Sequence, residues 1–320
     1  MERDRGEVMV LYRVAIRPIM SFASPLQGDT LFGAFCWSYR YICGEEALTE
    51  LLEELKSGKQ QIIFSNGFPG GTLPLPLGIR DMAADFEKRE TKEARKQAYE
   101  EHKKLKSAKY VTRQWFQRIQ EGNYDGFTAG LCDEGIREQT VVHNMVSRQE
   151  GVVKNIEGSG SLYGEDEFFV EKDHTYDVYL LSTLPEDILC AVTRAMFLLG
   201  IGKDKSTGKG AFEVVDWQKE KELLNCERSN GFVALSNFVP AQKDPIEGRY
   251  KTLVKYGKLD REYAISETPF KKPLLFIQAG GVFWDEKVKM YYGRYITQIS
   301  LKDGVVVNGQ TIAVPVWISE

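Results

Sequence analysis

The stretch Leu199-Gly200-Ile201-Gly202-Lys203-Asp204-Lys205-Ser206-Thr207-Gly208-Lys209-Gly210-Ala211-Phe212 gathers residue types that can hold phosphate. Its glycines, Gly200, Gly202, Gly208 and Gly210, permit tight turns and close approach of a ligand to the backbone. Lys203, Lys205 and Lys209 supply positive charge, while Ser206 and Thr207 supply hydroxyl donors. A nucleoside-triphosphate loop is excluded by spacing, because no G-x-x-x-x-G-K-[ST] occurs. The G-x-G-x-x-G pattern fails too, since Lys205 stands at the third glycine position. What remains is a cradle for a phosphate backbone or, more plainly, a solvated turn between a helix and a strand.

Two further stretches carry candidate chemistry. In the first, His143 and Asn144 precede Arg148 on a strand-like run, 139–148. Period-2 alternation sends His143 to one face and the pair Asn144 and Arg148 to the other. Arginine offers a planar fork for phosphate, and asparagine reaches a base edge or a sugar hydroxyl. A general base at His143 has no second histidine at catalytic or metal spacing, since His102 and His174 lie in other contexts. In the second stretch, Ser24, Gln27 and Asp29 stand at the start of a helix. That helix is anchored by Phe32, Phe35 and Trp37, and these three polar residues are its possible loop contacts. Asp29 suits the cap or first turn, where a carboxylate accepts hydrogen bonds from free backbone N–H groups.

The elements that must position these groups follow from periodicity and breakers. Residues 8–18 read as an opening strand, with helices from about Asp29 to Ile42 and from Ala47 to Leu55. Ser65 to Gly78 is dense in Gly and Pro and reads as an irregular loop. Met82 to Glu121 is highly charged and reads as one or two exposed, weakly packed helices inserted in the first domain. Ser161–Val170 and Thr175–Thr183 read as a hairpin pair, followed by a helix from Pro185 to Leu199 and a strand at Ala211–Trp217. Beyond it, Phe232–Phe238, Leu274–Val282, Met290–Gln298 and Ile312–Ile318 read as strands. In the second of these runs, Gly280 and Gly281 mark a bulge. The order strand, helix, strand, strand, helix, strand predicts an α+β fold. It consists of a ferredoxin-like (RRM-like) domain over 1–217, with its insertion at about 82–121, and a smaller one of similar type over 218–320.

With 320 residues, 42% hydrophobic and 28% charged, the chain can bury a sizeable core, which excludes disorder as the main state. Five scattered cysteines without C-x-x-C suggest neither a disulfide framework nor a zinc ribbon, and read as buried small apolar residues. No stretch is long and apolar enough to span a membrane, and the charged residues 1–7 do not read as a secretory signal, so a cytoplasmic protein is expected. A formal charge of −4 argues against gripping duplex nucleic acid through bulk positive charge. Two long stretches, 84–121 and 242–272, are richer in Lys and Arg than the whole. No motif calls for a metal or a cofactor.

Taken in order, these pieces resemble one family. Gly28-Asp29-Thr30-Leu31-Phe32-Gly33-Ala34, the strand of His143, Asn144 and Arg148 with Ser161-Leu162-Tyr163 after it, the loop Gly200–Gly210, and Pro273-Leu274-Leu275-Phe276 with Gly280-Gly281 are similar to the RAMP subunit of the type III-A CRISPR (Csm) effector complex that caps the 5′ end of the guide RNA. The resemblance implies paired ferredoxin-like domains and a non-enzymatic role. Such a subunit holds the repeat-derived 5′ handle of the crRNA, docks the large polymerase-domain signature subunit and contacts the backbone RAMP subunit. It also meets target RNA near the 5′ end of the guide through a protruding β-hairpin thumb. Carried onto this chain, the glycine-rich role falls on Gly200–Gly210 and the strand role on His143, Asn144 and Arg148. The insert 82–121 is the place left for the thumb or for a partner contact. The rival expectations are a metal-independent endoribonuclease that cuts repeat RNA with His143, and an adaptor that touches no RNA.

Overall fold

The structure, a computed structural model, describes residues 8–78, 103, 105, 107–123, 126–132, 135–144, 162–170 and 173–318. Along the first two thirds run β1 (Val10–Pro18), α1 (Gly28–Cys43), α2 (Glu45–Ser57), β2 (Ile62–Pro69), β3 (Thr72–Pro74), β4 (Tyr110–Thr112), α3 (Arg113–Gln120), β5 (Leu131–Cys132), β6 (Ile136–Asn144), β7 (Leu162–Val170), β8 (Tyr176–Ser182), α4 (Glu186–Leu198) and β9 (Phe212–Lys219). The last third holds β10 (Gly231–Ala234), β11 (Gly248–Arg249), β12 (Thr252–Lys255), β13 (Leu274–Ile277), β14 (Val282–Trp284), β15 (Tyr291–Ile296) and β16 (Val307–Val316).

The first sheet is antiparallel in the order β2-β8-β1-β9. With α1 after β1 and α4 after β8, this is βαββαβ connectivity, interrupted between β2 and β8 by the excursion that holds β3 to β7. Alternation along β1 sends Val14 and Ile16 to the face covered by α1 and α4, where they pack with Phe32, Phe35, Val192 and Phe197. Leu11 points the other way, into a cluster shared with Ile63, Tyr179 and Leu181 and with Val233, Leu235, Ile312 and Val314 of the second sheet. Strand β8 is buried along its whole length because it serves both layers. Its unbroken apolar run from Val178 to Leu181 follows from that position.

Four expectations are corrected. Ser65–Gly78 is not an irregular loop, since most of it belongs to β2 and β3. β2 is an edge strand whose register shifts between Phe64 and Gly67, and its Pro69 falls on the last position, so the breakers sit where an edge tolerates them. The hairpin is β6 with β7 rather than β7 with β8. The acidic run in β7 suits an exposed ribbon, whereas the apolar β8 takes an interior place between β1 and β2. Within 82–121, residues 82–102, 104 and 106 lie outside the described residues. Val111, Phe116 and Ile119, however, are buried in the cluster between the sheets, so this end of the insert is firmly packed. Last, the second sheet has the order β11-β14-β10-β16-β15. No α-helix occurs beyond Leu198 among the described residues, only 3-10 turns at Lys205–Thr207 and Arg261–Ile265. It is a β-sheet without the two helices a second ferredoxin-like unit would need.

The sheets are stitched at the β2 bulge. Asn66 donates its backbone N–H to the Leu235 carbonyl of the second sheet (2.9 Å). Its Oδ1 accepts from the Gly28 N–H at the start of α1 (3.0 Å), a capping service the sequence assigns to Asp29. Asn308 Nδ2 adds a bond to the Ile62 carbonyl (2.7 Å). Replacing Asn66 by Ala leaves the Gly28 N–H unpaired at a part-buried site. The expected cost is about 1–3 kcal/mol of stability, read as a lower denaturant midpoint at unchanged slope; an unchanged midpoint rejects the stitch.

Candidate functional site

The hairpin of β6 and β7 is a nine-pair ladder from Ile136↔Val170 to Asn144↔Leu162. It is moored near its base by the bridge between Phe22 and Phe168, whose backbones exchange bonds of 3.3 and 2.8 Å. The Phe22 ring lies 5.4 Å from Phe168, 5.4 Å from Phe212 and 5.8 Å from Tyr176, so an aromatic cluster fixes that base. Farther along, Val142 and Leu162 are exposed.

Beside this mooring stands Glu167, only 4% exposed at its side chain. Its carboxylate accepts from Ser21 Oγ (2.8 Å) and from the Lys209 ammonium, and lies 3.3 Å from His143 Nε2. These partners come from the turn after β1, the glycine-rich loop and the facing strand. Burial pushes the Glu167 carboxyl up, but the bonds from Lys209, Ser21 and His143 outweigh it and hold the group below its ordinary value of 4.5. Nearby, Glu165 is pushed up, chiefly by a hydrogen bond to Asp204.

The glycine-rich loop is folded on itself. Gly200, Gly202, Gly208 and Gly210 have φ of 88°, 86°, 89° and 73°. At Gly202 a Cβ would strike Ser24, and at Gly210 it would strike the Ile201 carbonyl, so no other residue fits these two turns. Ser24 Oγ accepts from the Lys203 N–H (3.1 Å), the Ile201 N–H donates to the Gly210 carbonyl (2.8 Å), and Thr207 Oγ1 donates to the Asp204 carbonyl (2.8 Å). The turn Lys205–Thr207 includes the backbone of Ser206.

Three stretches picked out in the sequence therefore meet: the loop touches Ser24 through Lys203 and His143 through Lys209, at 3.4 Å. Three particulars differ from the sequence reading. Of the loop lysines, Lys205 is paired with Asp260 and Lys209 with Glu167, while Lys203 is exposed. Burial lowers the Lys205 pKa, opposed by Asp260. Gln27 and Asp29 are not open loop contacts, because both bind the Lys255 ammonium, at 2.7 Å for each. Asn144 ends β6 without a described side chain, and Arg148 lies outside the described residues. Glu167, Ser21, Asp260 and Lys255 were missed, and only the run of acids Glu165-Asp166-Glu167 in β7 hinted at any of them. All five cysteines are free and half-buried rather than fully buried, and burial pushes the Cys36 thiol up to about 12. Among the described residues no group of three or more His, Cys, Asp or Glu can hold a metal, and no helix is long and apolar enough to cross a membrane.

A βαββαβ sheet joined to an all-β sheet, with a ribbon projecting beside a glycine-rich loop, is a fold shared with solved proteins. A chain in the crystal structure of a Csm1-Csm4 cassette with pppApA is 22% identical, with a TM-score of 0.59 over 97% of this chain and 99% of that one. A Csm1-Csm4 cassette with cA4 gives 20% and 0.60 over the same shares. The Csm3-Csm4 subcomplex of the type III-A CRISPR-Cas interference complex gives 15% and 0.58 over 95% and 99%. Csm4 is the component common to these assemblies, and the likeness of fold agrees with the resemblance drawn from the sequence motifs. No family model and no curated protein matches the chain.

The Glu167 network has a testable pH signature. A carboxyl held below its ordinary value adds stability that is complete above about pH 4.5 and is lost as pH falls through the lower folded-state value. Glu167→Gln should therefore melt below the wild type at pH 7, and the gap should close on acidification below pH 4. A gap independent of pH removes the charge from the account.

Proposed function

We propose that this chain is a non-catalytic crRNA-binding subunit of a type III-A CRISPR interference complex, holding the repeat-derived 5′ handle and anchoring the large signature subunit in antiviral defence. The observation that carries the reading is the end-to-end likeness of fold to the component shared by the Csm1-Csm4 and Csm3-Csm4 assemblies. The partners are a large polymerase-domain subunit, a backbone RAMP subunit, the crRNA handle and target RNA near the 5′ end of the guide. The β6–β7 hairpin is the thumb in this reading, in place of the insert at 82–121, because it is the long ribbon moored at its base with exposed apolar residues farther out. The handle lies along the glycine-rich loop and the hairpin base, held by backbone amides and hydroxyls more than by free ammonium groups. An acidic chain can hold single-stranded RNA this way, since splayed bases and 2′-hydroxyls provide much of the contact. The binding set remains His143, Asn144, Arg148, Ser24 and the loop.

The endoribonuclease reading draws on the contact between His143 and Glu167. The same carboxylate is engaged by Ser21 and Lys209, which suits a structural anchor better than a base-orienting partner. His143→Ala separates the two: intact repeat processing with weaker handle retention supports the capping subunit, and lost cleavage supports the enzyme.

The direct test co-expresses the chain with the large and backbone subunits and a repeat-containing RNA, purifies through this chain, crosslinks and sequences. A guide crosslinked at its repeat-derived 5′ end supports the proposal, and RNA without positional preference overturns it. Within the loop, Lys203→Ala should reduce the slope of log affinity against log salt by about 0.7, one single-strand phosphate contact. Lys205→Ala should lower thermal stability instead, because it strands Asp260. Equal salt effects from both would mean that the Lys205 pair opens for RNA.

A further inference from the structure

Three asparagines stand directly before a glycine: Asn66-Gly67, Asn230-Gly231 and Asn308-Gly309. In such a pair the glycine backbone nitrogen, unhindered by a side chain, can attack the asparagine Cγ. Packing requires the glycine each time. A Cβ would stand 2.7 Å from Leu26 at Gly67, 2.4 Å from the Phe283 carbonyl oxygen at Gly231 and 2.9 Å from the Arg294 carbonyl oxygen at Gly309. The asparagines are equally committed, because each uses both ends of its side-chain amide in hydrogen bonds. The fold therefore keeps three reactive pairs and must restrain them.

The restraint is uneven. Ring closure twists the asparagine out of extended backbone, so a residue inside a strand resists it until its ladder opens. Asn66 and Asn308 lie within β2 and β16. Gly67 also gives its N–H to the Leu26 carbonyl (2.7 Å), and Asn308 is buried, with its Nδ2 on the Ile62 carbonyl and its Oδ1 on the Gln310 N–H (2.8 Å). Asn230, by contrast, is half-buried at a bend just before β10. Among the described residues its side chain is held by Ile318 alone, accepting from that N–H (2.7 Å) and donating to that carbonyl (2.8 Å). Ile318 lies past the end of β16, outside the ladder.

We propose that Asn230 is a site of spontaneous deamidation in the folded chain, while Asn66 and Asn308 are spared by their strands. The Gly231 nitrogen, having lost its proton to base, bonds to the Asn230 Cγ; the Cγ–Nδ2 bond breaks, and ammonia leaves with a proton. Water then opens the cyclic imide at Cγ to give aspartate, or at the main-chain carbonyl carbon to give isoaspartate. Water is the only co-reactant, and nothing is oxidised or reduced. Either product loses the amide donor to Ile318. Isoaspartate also lengthens the backbone by a carbon just ahead of the pairs that Gly231 makes with Val316 and Trp284, so the modified chain loosens at the first rung of β10.

The test incubates the purified full chain at mildly alkaline pH in water enriched in heavy oxygen and maps its peptides by mass spectrometry. Asn230 should take up a heavy oxygen as it converts, with isoaspartate among the products. Asn66 and Asn308 should convert at least about tenfold more slowly in the folded chain, the margin that a modest opening free energy provides, and should catch up with Asn230 in urea. Asn230→Asp, the aspartate product made directly, should melt a few degrees below the wild type. Should that variant not fold, the mapping of the wild-type chain decides alone. No conversion at Asn230 in the folded chain overturns the proposal, as does conversion of all three sites at one rate in that state. Aspartate formed without isoaspartate overturns the cyclic route.

Discussion

The arrangement of the whole chain depends on a bulge in one edge strand. Where β2 breaks register, two consecutive backbone N–H groups find their partners outside β8. Asn66 sends one to the second sheet, and Gly67 sends the other to the Leu26 carbonyl, at 2.7 Å, in the turn before α1. The Asn66 side chain then caps α1 and reaches Asn237. A defect in one sheet is thus the joint between two sheets and a helix, with the N–H groups of Asn66 and Gly67 both paired. A cleft of about 540 Å³ lined in part by Asn66, Gly67 and Asn237 lies against this joint.

Electrostatically the site is quieter than its lysines suggest. Asp260 and Glu167 neutralise two loop ammonium groups, and Asp29 neutralises Lys255. Each pair joins segments distant in sequence, so these charges serve chain assembly first. The glycine-rich loop keeps its four left-handed glycine turns while its paired lysines leave it little net charge. Under the proposed function, a ligand would be retained here by shape, stacking and hydroxyl contacts more than by net charge, in keeping with a chain of formal charge −4.

Local pattern was readable in the sequence and long-range pairing was not. Both helices after β1 and the helix after Pro185 emerged from apolar spacing and breakers to within a few residues, because their signals are contained in one or two turns. The acidic strand β7 was recognised as a strand yet given the wrong partner. Register depends on which neighbour needs burial on one face and which on two, and that becomes visible only in three dimensions. Strand β2 was lost to its Gly and Pro, since edge and bulge positions relax the rules those residues normally enforce. The candidate loop was legible through its glycines, but the carboxylates that absorb its lysines stand 42 and 55 residues away. The absence of helices in the second sheet was hidden by a mixed segment that folds only as a 3-10 turn.

Because β1 lies between β8 and β9, neither of its neighbours exists until most of the chain has been made: Val10 pairs with Ser182, and Tyr12 with Lys219. At translation rates of about 5–20 residues per second, this apolar strand waits roughly 10–35 s for its first partner. Through that interval the nascent chain presents two open β-edges rich in branched residues, the kind of surface that templates aggregation. A chain with so non-local a sheet folds slowly by its topology alone. Its yield in a cell should therefore be governed as much by chaperone access during synthesis as by the stability of the finished fold.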